Sequence, residues 1–209
     1  MNDRITIVAV VLLAVALGFA DRGAGRAGAE GEKKTPEYVG AKSCKKCHFK
    51  QQKTWKKTTL ASAFEVLKPG QCEEKKKAAG LDLKKDYTKD AKCLKCHATG
   101  YGTPSGYPTL AEGKEFSEAE QARASLNEGV TCEACHGPGS LYIPVKKANK
   151  EYKRDEIVAL GALAPVKADN CSACHVLECP TMPKDYKFDF EAMKTSDKLH
   201  AHKALKSEH

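Results

Sequence analysis

The sequence predicts a mainly α-helical fold built of short helices and long loops. Three observations lead there. The pentapeptide Cys-x-x-Cys-His occurs four times in 209 residues. Helix start and stop signals recur at short intervals between the copies. No segment alternates apolar and polar residues over the length of a strand.

The four copies are Cys44-Lys45-Lys46-Cys47-His48, Cys93-Leu94-Lys95-Cys96-His97, Cys132-Glu133-Ala134-Cys135-His136 and Cys171-Ser172-Ala173-Cys174-His175. This is the attachment signature of a c-type haem. Each thiol adds to one vinyl group of the porphyrin. Two intervening residues place both sulfurs on one side of a single helical turn, because positions three apart are neighbours on a helix. The following histidine reaches the iron as its proximal ligand, and axial ligation sets the redox potential. A zinc half-site or a dithiol motif also uses Cys-x-x-Cys, but neither needs the adjacent histidine. The cofactors expected are therefore four c-type haems, held covalently by Cys44, Cys47, Cys93, Cys96, Cys132, Cys135, Cys171 and Cys174. His48, His97, His136 and His175 are the proximal iron ligands.

Along the chain the elements follow from local signals. Residues 1–29 read as a signal peptide. Arg4 gives the positive start, Ile5 to Phe19 the apolar stretch, and Ala27-Gly28-Ala29 a small-residue cleavage site, with Gly18-Phe19-Ala20 as an alternative. The apolar stretch is short for a spanning helix, which needs roughly 20 residues. The mature chain is thus expected to cross no membrane, although an uncleaved Ile5–Phe19 segment would serve as an anchor. Residues 30–209 form the tetrahaem domain, placed in the periplasm because c-type haem is attached after export. Ser43 is positioned to cap a helix carrying the first motif through about Lys57, and a second helix, Thr59–Leu67, ends at Pro69-Gly70. Cys72–Ala79 is a charged helix stopped by Gly80. Gly100 to Pro108 is a glycine- and proline-rich loop. Ser117-x-x-Glu120 is a capping box for a helix over Ser117–Asn127, with Gly129 as its stop. Gly137-Pro138-Gly139 ends the third motif turn abruptly. Arg154–Leu160 reads as a helix, and a last one runs from Asp189 to His200.

Composition limits the alternatives. The formal charge is +8. Removal of residues 1–29 takes three arginines and two aspartates and leaves +7. Four haems add about −4 when oxidised and about −8 when reduced, counting propionates against iron–porphyrin cores. The holoprotein is near neutral, so nucleic-acid binding is not implied, and sparse aromatics argue against a base-stacking platform. Charged residues make up 30% of the chain. The haems must therefore supply apolar mass that the polypeptide lacks. A compact mature chain has a radius of gyration of about 16 Å, which packs four macrocycles closely together.

The segments around the motifs resemble the tetrahaem cytochrome c-554 family over essentially the whole mature chain. The residues that carry this are Lys53-Thr54-Trp55-Lys56-Lys57-Thr58, Ala63-Phe64-Glu65-Val66-Leu67-Lys68-Pro69, Leu81-Asp82 and Lys85-Asp86-Tyr87-Thr88-Lys89-Asp90. They continue with Gly100-Tyr101-Gly102, Gly106-Tyr107, the run from Gly129 to Gly139, and the closing Tyr186, Phe188-Asp189-Phe190 and His200-Ala201-His202. The resemblance implies a helical fold around four stacked haems and periplasmic electron transfer with redox protein partners. In the founding members the donor is a multihaem oxidoreductase. The family also keeps one haem five-coordinate, which suggests a small nitrogenous ligand at an open iron.

The sequence departs from the family's distal-ligand pattern. Leu60 stands where a histidine usually follows the tryptophan by five residues, and Lys146 is nearest to where another follows the Gly-Pro-Gly turn. The chain has seven histidines, one short of four bis-histidine pairs. His200 is the expected distal ligand, with His202 and Met182 as further candidates and Lys146 as an amine alternative. Cys72 and Cys179, left over from the motifs, are open to pairing as a disulfide. The function expected is electron carriage by haem-to-haem hopping. The alternative is a small haem enzyme or gas-binding protein acting on NO, nitrite or hydroxylamine at an open haem, and it lacks an evident acid–base constellation.

Overall fold

A computed structural model describes residues 34–175 and 179–202. The signal peptide and the Ile5–Phe19 segment lie outside the described residues, as does His209. The elements sit in the unit that starts at Thr35. They are α1 (Ala41–Cys44), α2 (Phe49–Trp55), a 3-10 turn (Glu65–Leu67), α3 (Glu73–Ala78), α4 (Ala91–His97), α5 (Glu118–Asn127), α6 (Cys132–His136), α7 (Tyr142–Ala148), α8 (Arg154–Val158), α9 (Ala168–Ser172) and α10 (Phe190–Lys194). Among the described residues there is no strand, only isolated bridges from Ala98 to Glu128 and Gly129. Nor is any described helix long and apolar enough to cross a membrane.

The Ser117 capping box and the Asp189 helix start expected from the sequence are both present. Glu120 N–H donates to Ser117 Oγ and Ser117 N–H to Glu120 Oε2, closing the capping box of α5. Asp90 and Asp189 accept from Lys92 N–H and Ala192 N–H at the starts of α4 and α10, at 3.0 Å each.

Where several elements compete, the helices are shorter than expected. The helix predicted through the first motif is split: Ser43 does not cap it, since its hydroxyl donates to Val39 O at 3.2 Å, and the chain turns between α1 and α2. The segment Thr59–Leu67 is mostly turns. Thr58 and Ser62 hydroxyls donate to Trp55 O and Thr59 O, offering the backbone an alternative to the helical ladder. α10 stops at Lys194 rather than His200, because Ser196 Oγ accepts Lys198 N–H and redirects the chain. α7 has no counterpart in the sequence reading. Pro144 falls in its first turn, where a missing N–H is tolerated but the apolar pattern is broken.

Two apolar clusters hold the elements. One gathers Phe64, Leu67, Tyr87, Leu94, Ala98, Tyr107 and Ala124 around α4. Its centre is Tyr107, with ring centroids 5.5 Å from Phe64 and 6.0 Å from Phe116. The other joins Tyr142, Tyr152, Ile157 and Ala162 between α7 and α8. Two glycines are required by close approach. A Cβ on Gly106 would stand 2.0 Å from Gly100 O. One on Gly137, at φ +79°, would stand 2.2 Å from Gly161 O.

Candidate haem-binding site

The four motifs occupy short helices or the turns that follow them. The first begins at the end of α1 and places His48 at the start of α2, with Cys47 exposed. The second lies wholly in α4 and the third forms α6. The fourth starts in α9 and ends in a turn. Among the described residues no cysteine forms a disulfide, so none of the eight motif sulfurs is taken up by one. Cys72 and Cys179 are not paired: Cys72 is exposed at the start of α3 and Cys179 Sγ contacts Thr181 Oγ1.

The motifs meet in pairs. The Cys44 and Cys132 sulfurs lie close enough for each to perturb the other, and this mutual influence is the main reason the Cys132 pKa falls and the Cys44 pKa rises. The Cys96 and Cys174 thiols do the same, pulling Cys96 down to about 7 and raising Cys174. Cys174 Sγ also reaches Lys95 O at 3.9 Å. First and third motifs are therefore neighbours, as are second and fourth. A cavity of about 250 Å³ opens between the latter pair, lined by Cys96, Cys174, Lys95, Thr99 and Tyr101 among others.

The histidines differ in surroundings. His136 is exposed, yet other groups crowd its ring, and its pKa is pushed down to about 4, chiefly by desolvation and further by His200, His48 and Lys146. Beside it stands His200, its ring centroid 6.2 Å from that of His136 and its plane tilted by 29°. Two imidazoles sharing one metal at about 2 Å per ring nitrogen have ring centres roughly 6 Å apart. The pair is spaced for one iron between them. His202 is exposed beside His200, with centroids 4.7 Å apart, and its Nε2 meets Ser196 O at 3.2 Å. Met182 sits in a turn where its N–H donates to Cys179 O at 3.1 Å.

Partners on Nδ1 orient two of the motif histidines and leave Nε2 for a metal. His97 Nδ1 contacts Ala63 O. His175 Nδ1 lies 2.6 Å from Tyr186 Oη, and the Phe188 ring stacks on His175 at 4.3 Å. Lys146 is half-buried with its ammonium 5.3 Å from the Tyr152 ring centroid. Burial lowers its pKa, against the opposing influence of Cys47 and Cys44. Leu60 is half-buried, and its carbonyl accepts Val130 N–H at 3.1 Å.

Glu133, inside the third motif, was not singled out by sequence reasoning. It is 1% exposed. Its carboxylate accepts Gly40 N–H and Gly139 N–H at 2.7 Å each, and Val39 N–H at 3.0 Å. Burial raises its pKa while these three donors hold it down. The available signal was an acid between two motif cysteines just before a Gly-Pro-Gly turn, whose N–H groups need acceptors. Tyr186 carried no signal beyond the resemblance.

The donor set fits c-type haem. Among the described residues no group of three His, Cys, Asp or Glu side chains converges as a protein-only metal site requires. Instead, Cys96 and Cys174 border one cavity, and the His136 and His200 rings stand 6.2 Å apart. A family profile described as "Cytochrome c554 and c-prime" matches residues 43–137. A curated relative, cytochrome c-554 of Nitrosomonas europaea, is 35% identical over 147 residues, covering 66% of this chain and 57% of the relative. The solved structure of the reduced state of cytochrome c554 from Nitrosomonas europaea superposes with a TM-score of 0.67 at 30% identity. It covers 83% of this chain and 89% of that one.

Proposed function

The chain belongs to the cytochrome c-554 family, and on that footing we propose that it carries single electrons between redox partner proteins in the periplasm, through haems held in two adjacent pairs. It is a multihaem c-type cytochrome, with four c-type haems. Each haem, when bound, takes up and releases one electron at its iron. The polypeptide holds and orients these groups. In this reading Cys44, Cys47, Cys93, Cys96, Cys132, Cys135, Cys171 and Cys174 form the thioether bonds. His48, His97, His136 and His175 ligate from the proximal side. His200 is the distal ligand opposite His136, a role supported by the 6.2 Å ring separation. Ala63 O and Tyr186 Oη fix the ring orientation of His97 and His175.

The observation that carries the proposal is the approach of different motifs to one another: Cys174 Sγ reaches Lys95 O of the second motif at 3.9 Å, and Glu133 of the third motif holds Val39 and Gly40 just before the first. It sets attachment points side by side, as a short conduction path requires. Export, with cleavage after residue 29, accords with the Arg4 start and Ile5–Phe19 stretch. Donor and acceptor are taken to be redox proteins.

The test uses exported, purified holoprotein. Its mass is expected to show four haems on a chain starting at Glu30. A potentiometric titration is expected to take up four electrons reversibly, with negligible steady-state consumption of NO or hydroxylamine under an artificial donor. Rapid turnover of either would replace carriage with catalysis. Fewer than four haems would remove the conduction path.

A further inference from the structure

We propose that α2 and the turn before it form a docking face for an acidic redox protein, at the edge of the haem held by the first motif. This rests on the carrier reading. All seven lysines between Lys42 and Lys57 are exposed, and no Asp or Glu occurs from Tyr38 to Phe64. The four ion pairs of the described residues use Lys68, Lys85, Lys89 and Lys194. None of the seven is among them. Elsewhere positive charge is locally offset: Asp90 lies beside Lys85 at 3.1 Å, and Glu73 and Glu74 open α3 ahead of its lysines.

The centre of the face is apolar. Phe49 follows His48 directly and is 54% exposed, the highest value among the large exposed hydrophobic residues. Lys45 Nζ stands 6.0 Å from its ring centroid. Cys47, which would carry one thioether, is exposed in the same turn. Protein interfaces place an apolar anchor inside a charged rim, and the rim steers encounter. A cationic rim with no Asp or Glu among its residues calls for a partner with carboxylates around its own redox centre. An anionic lipid surface fits less well, since α2 has seven residues and interfacial helices need a continuous apolar face of greater reach.

Two charge-matched variants test the face. Lys50→Glu/Lys53→Glu reverses two exposed lysines one turn apart on α2, and Lys75→Glu/Lys77→Glu reverses two exposed lysines on α3. Reduced holoprotein is mixed with ferricyanide, which takes one electron from each ferrous haem and becomes ferrocyanide. At low ionic strength the α2 variant is expected to react about tenfold more slowly than wild type, and the α3 variant less than twofold. The difference should vanish in high salt. Poly-L-glutamate, standing in for an acidic protein, is expected to slow wild type and the α3 variant but not the α2 variant. Equal slowing of the two variants would overturn the proposal, because net charge alone would then act. Co-sedimentation with phosphatidylglycerol vesicles that the α2 variant loses would overturn it in favour of a membrane surface. Failure of the carrier reading looks different: wild type itself would not exchange four electrons.

Discussion

Replacing Glu133 with alanine tests whether one buried carboxylate sets the spacing of the first and third motifs. The side chain accepts three backbone N–H groups, two of them from Val39 and Gly40, which lead into α1. Hydrogen bonds to a charged acceptor contribute about 1.5–3 kcal/mol each, and a buried N–H left without a partner costs about 1–3 kcal/mol. Against this stands the cost of burying the carboxylate, which its raised pKa records. The net loss expected for Glu133→Ala is about 3–5 kcal/mol, the range for removing one partner from a buried charged contact. Glu133→Gln keeps the volume and one carbonyl acceptor but turns an amide N–H toward the donors, so about half that loss is expected. The assay is equilibrium urea unfolding of the holoprotein by far-UV circular dichroism, with the m-value checked for constancy. A loss below about 1 kcal/mol for the alanine variant would refute the reasoning, because three unsatisfied donors cannot cost so little unless the segment from Val39 to Gly40 is held by something else.

Other perturbations address the haem ligands and their surroundings. His200→Ala is expected to add one high-spin ferric signal in the EPR spectrum and one CO-binding equivalent in the reduced state; an unchanged spectrum would exclude His200 as a ligand. Tyr186→Phe removes the acceptor 2.6 Å from His175 Nδ1. The less basic imidazole should raise one of the four potentials by roughly 20–60 mV, the equivalent of one net hydrogen bond. A spectroelectrochemical titration with no upward shift would count against it. Lys146→Met addresses pH dependence. Burial lowers the folded pKa of Lys146 below the ordinary value near ~10.4. Between the two values the unfolded chain holds a proton that the folded chain lacks, so wild-type stability rises with pH there. Below the folded value the penalty is complete, and the methionine variant should be the more stable. Urea midpoints measured from neutral to alkaline pH should converge as pH rises; parallel curves would refute the assignment.

The parts of this structure legible in the sequence are those decided within one turn of chain. The motif turns, the Ser117 capping box, the Asp189 start and the Gly137 stop each depend on neighbours a few residues away. The parts that were not legible depend on competition or on distance. Thr58 and Ser62 hydroxyls dissolve a helix that the apolar pattern of Leu60, Phe64 and Leu67 supports. Pro144 hides α7 by interrupting its pattern in the one turn where proline is harmless. His200 could be named by counting histidines, but its position across from His136 depends on Ala201 N–H donating to Thr54 Oγ1 at 2.7 Å, a contact spanning 147 positions. The pairing of Cys44 with Cys132, 88 positions apart in the chain, leaves no periodic trace at all.

Those long-range contacts share a design. The four ion pairs of the described residues involve exposed lysines, so each adds little. What ties motif to motif is hydrogen bonding that converges on the third. Glu133 holds the residues before the first motif. Trp55 Nε1 donates to Val130 O at 2.9 Å and brings α2 to the same place. Thr99, buried just after the second motif, donates to Gly129 O and accepts Thr131 N–H, while Gly129 N–H donates to His97 O. His200 closes on His136 from the far end of the described chain. With only two small apolar clusters among the described residues to supply cohesion, this hub fixes where attachment points lie. The haem-free polypeptide is thus expected to fold poorly, as metal-dependent domains do without their metal. The hub explains why a chain so rich in loops can still hold attachment sites in register: the first and second motifs are placed relative to one central turn, and the fourth follows the second through Cys174 Sγ and Lys95 O.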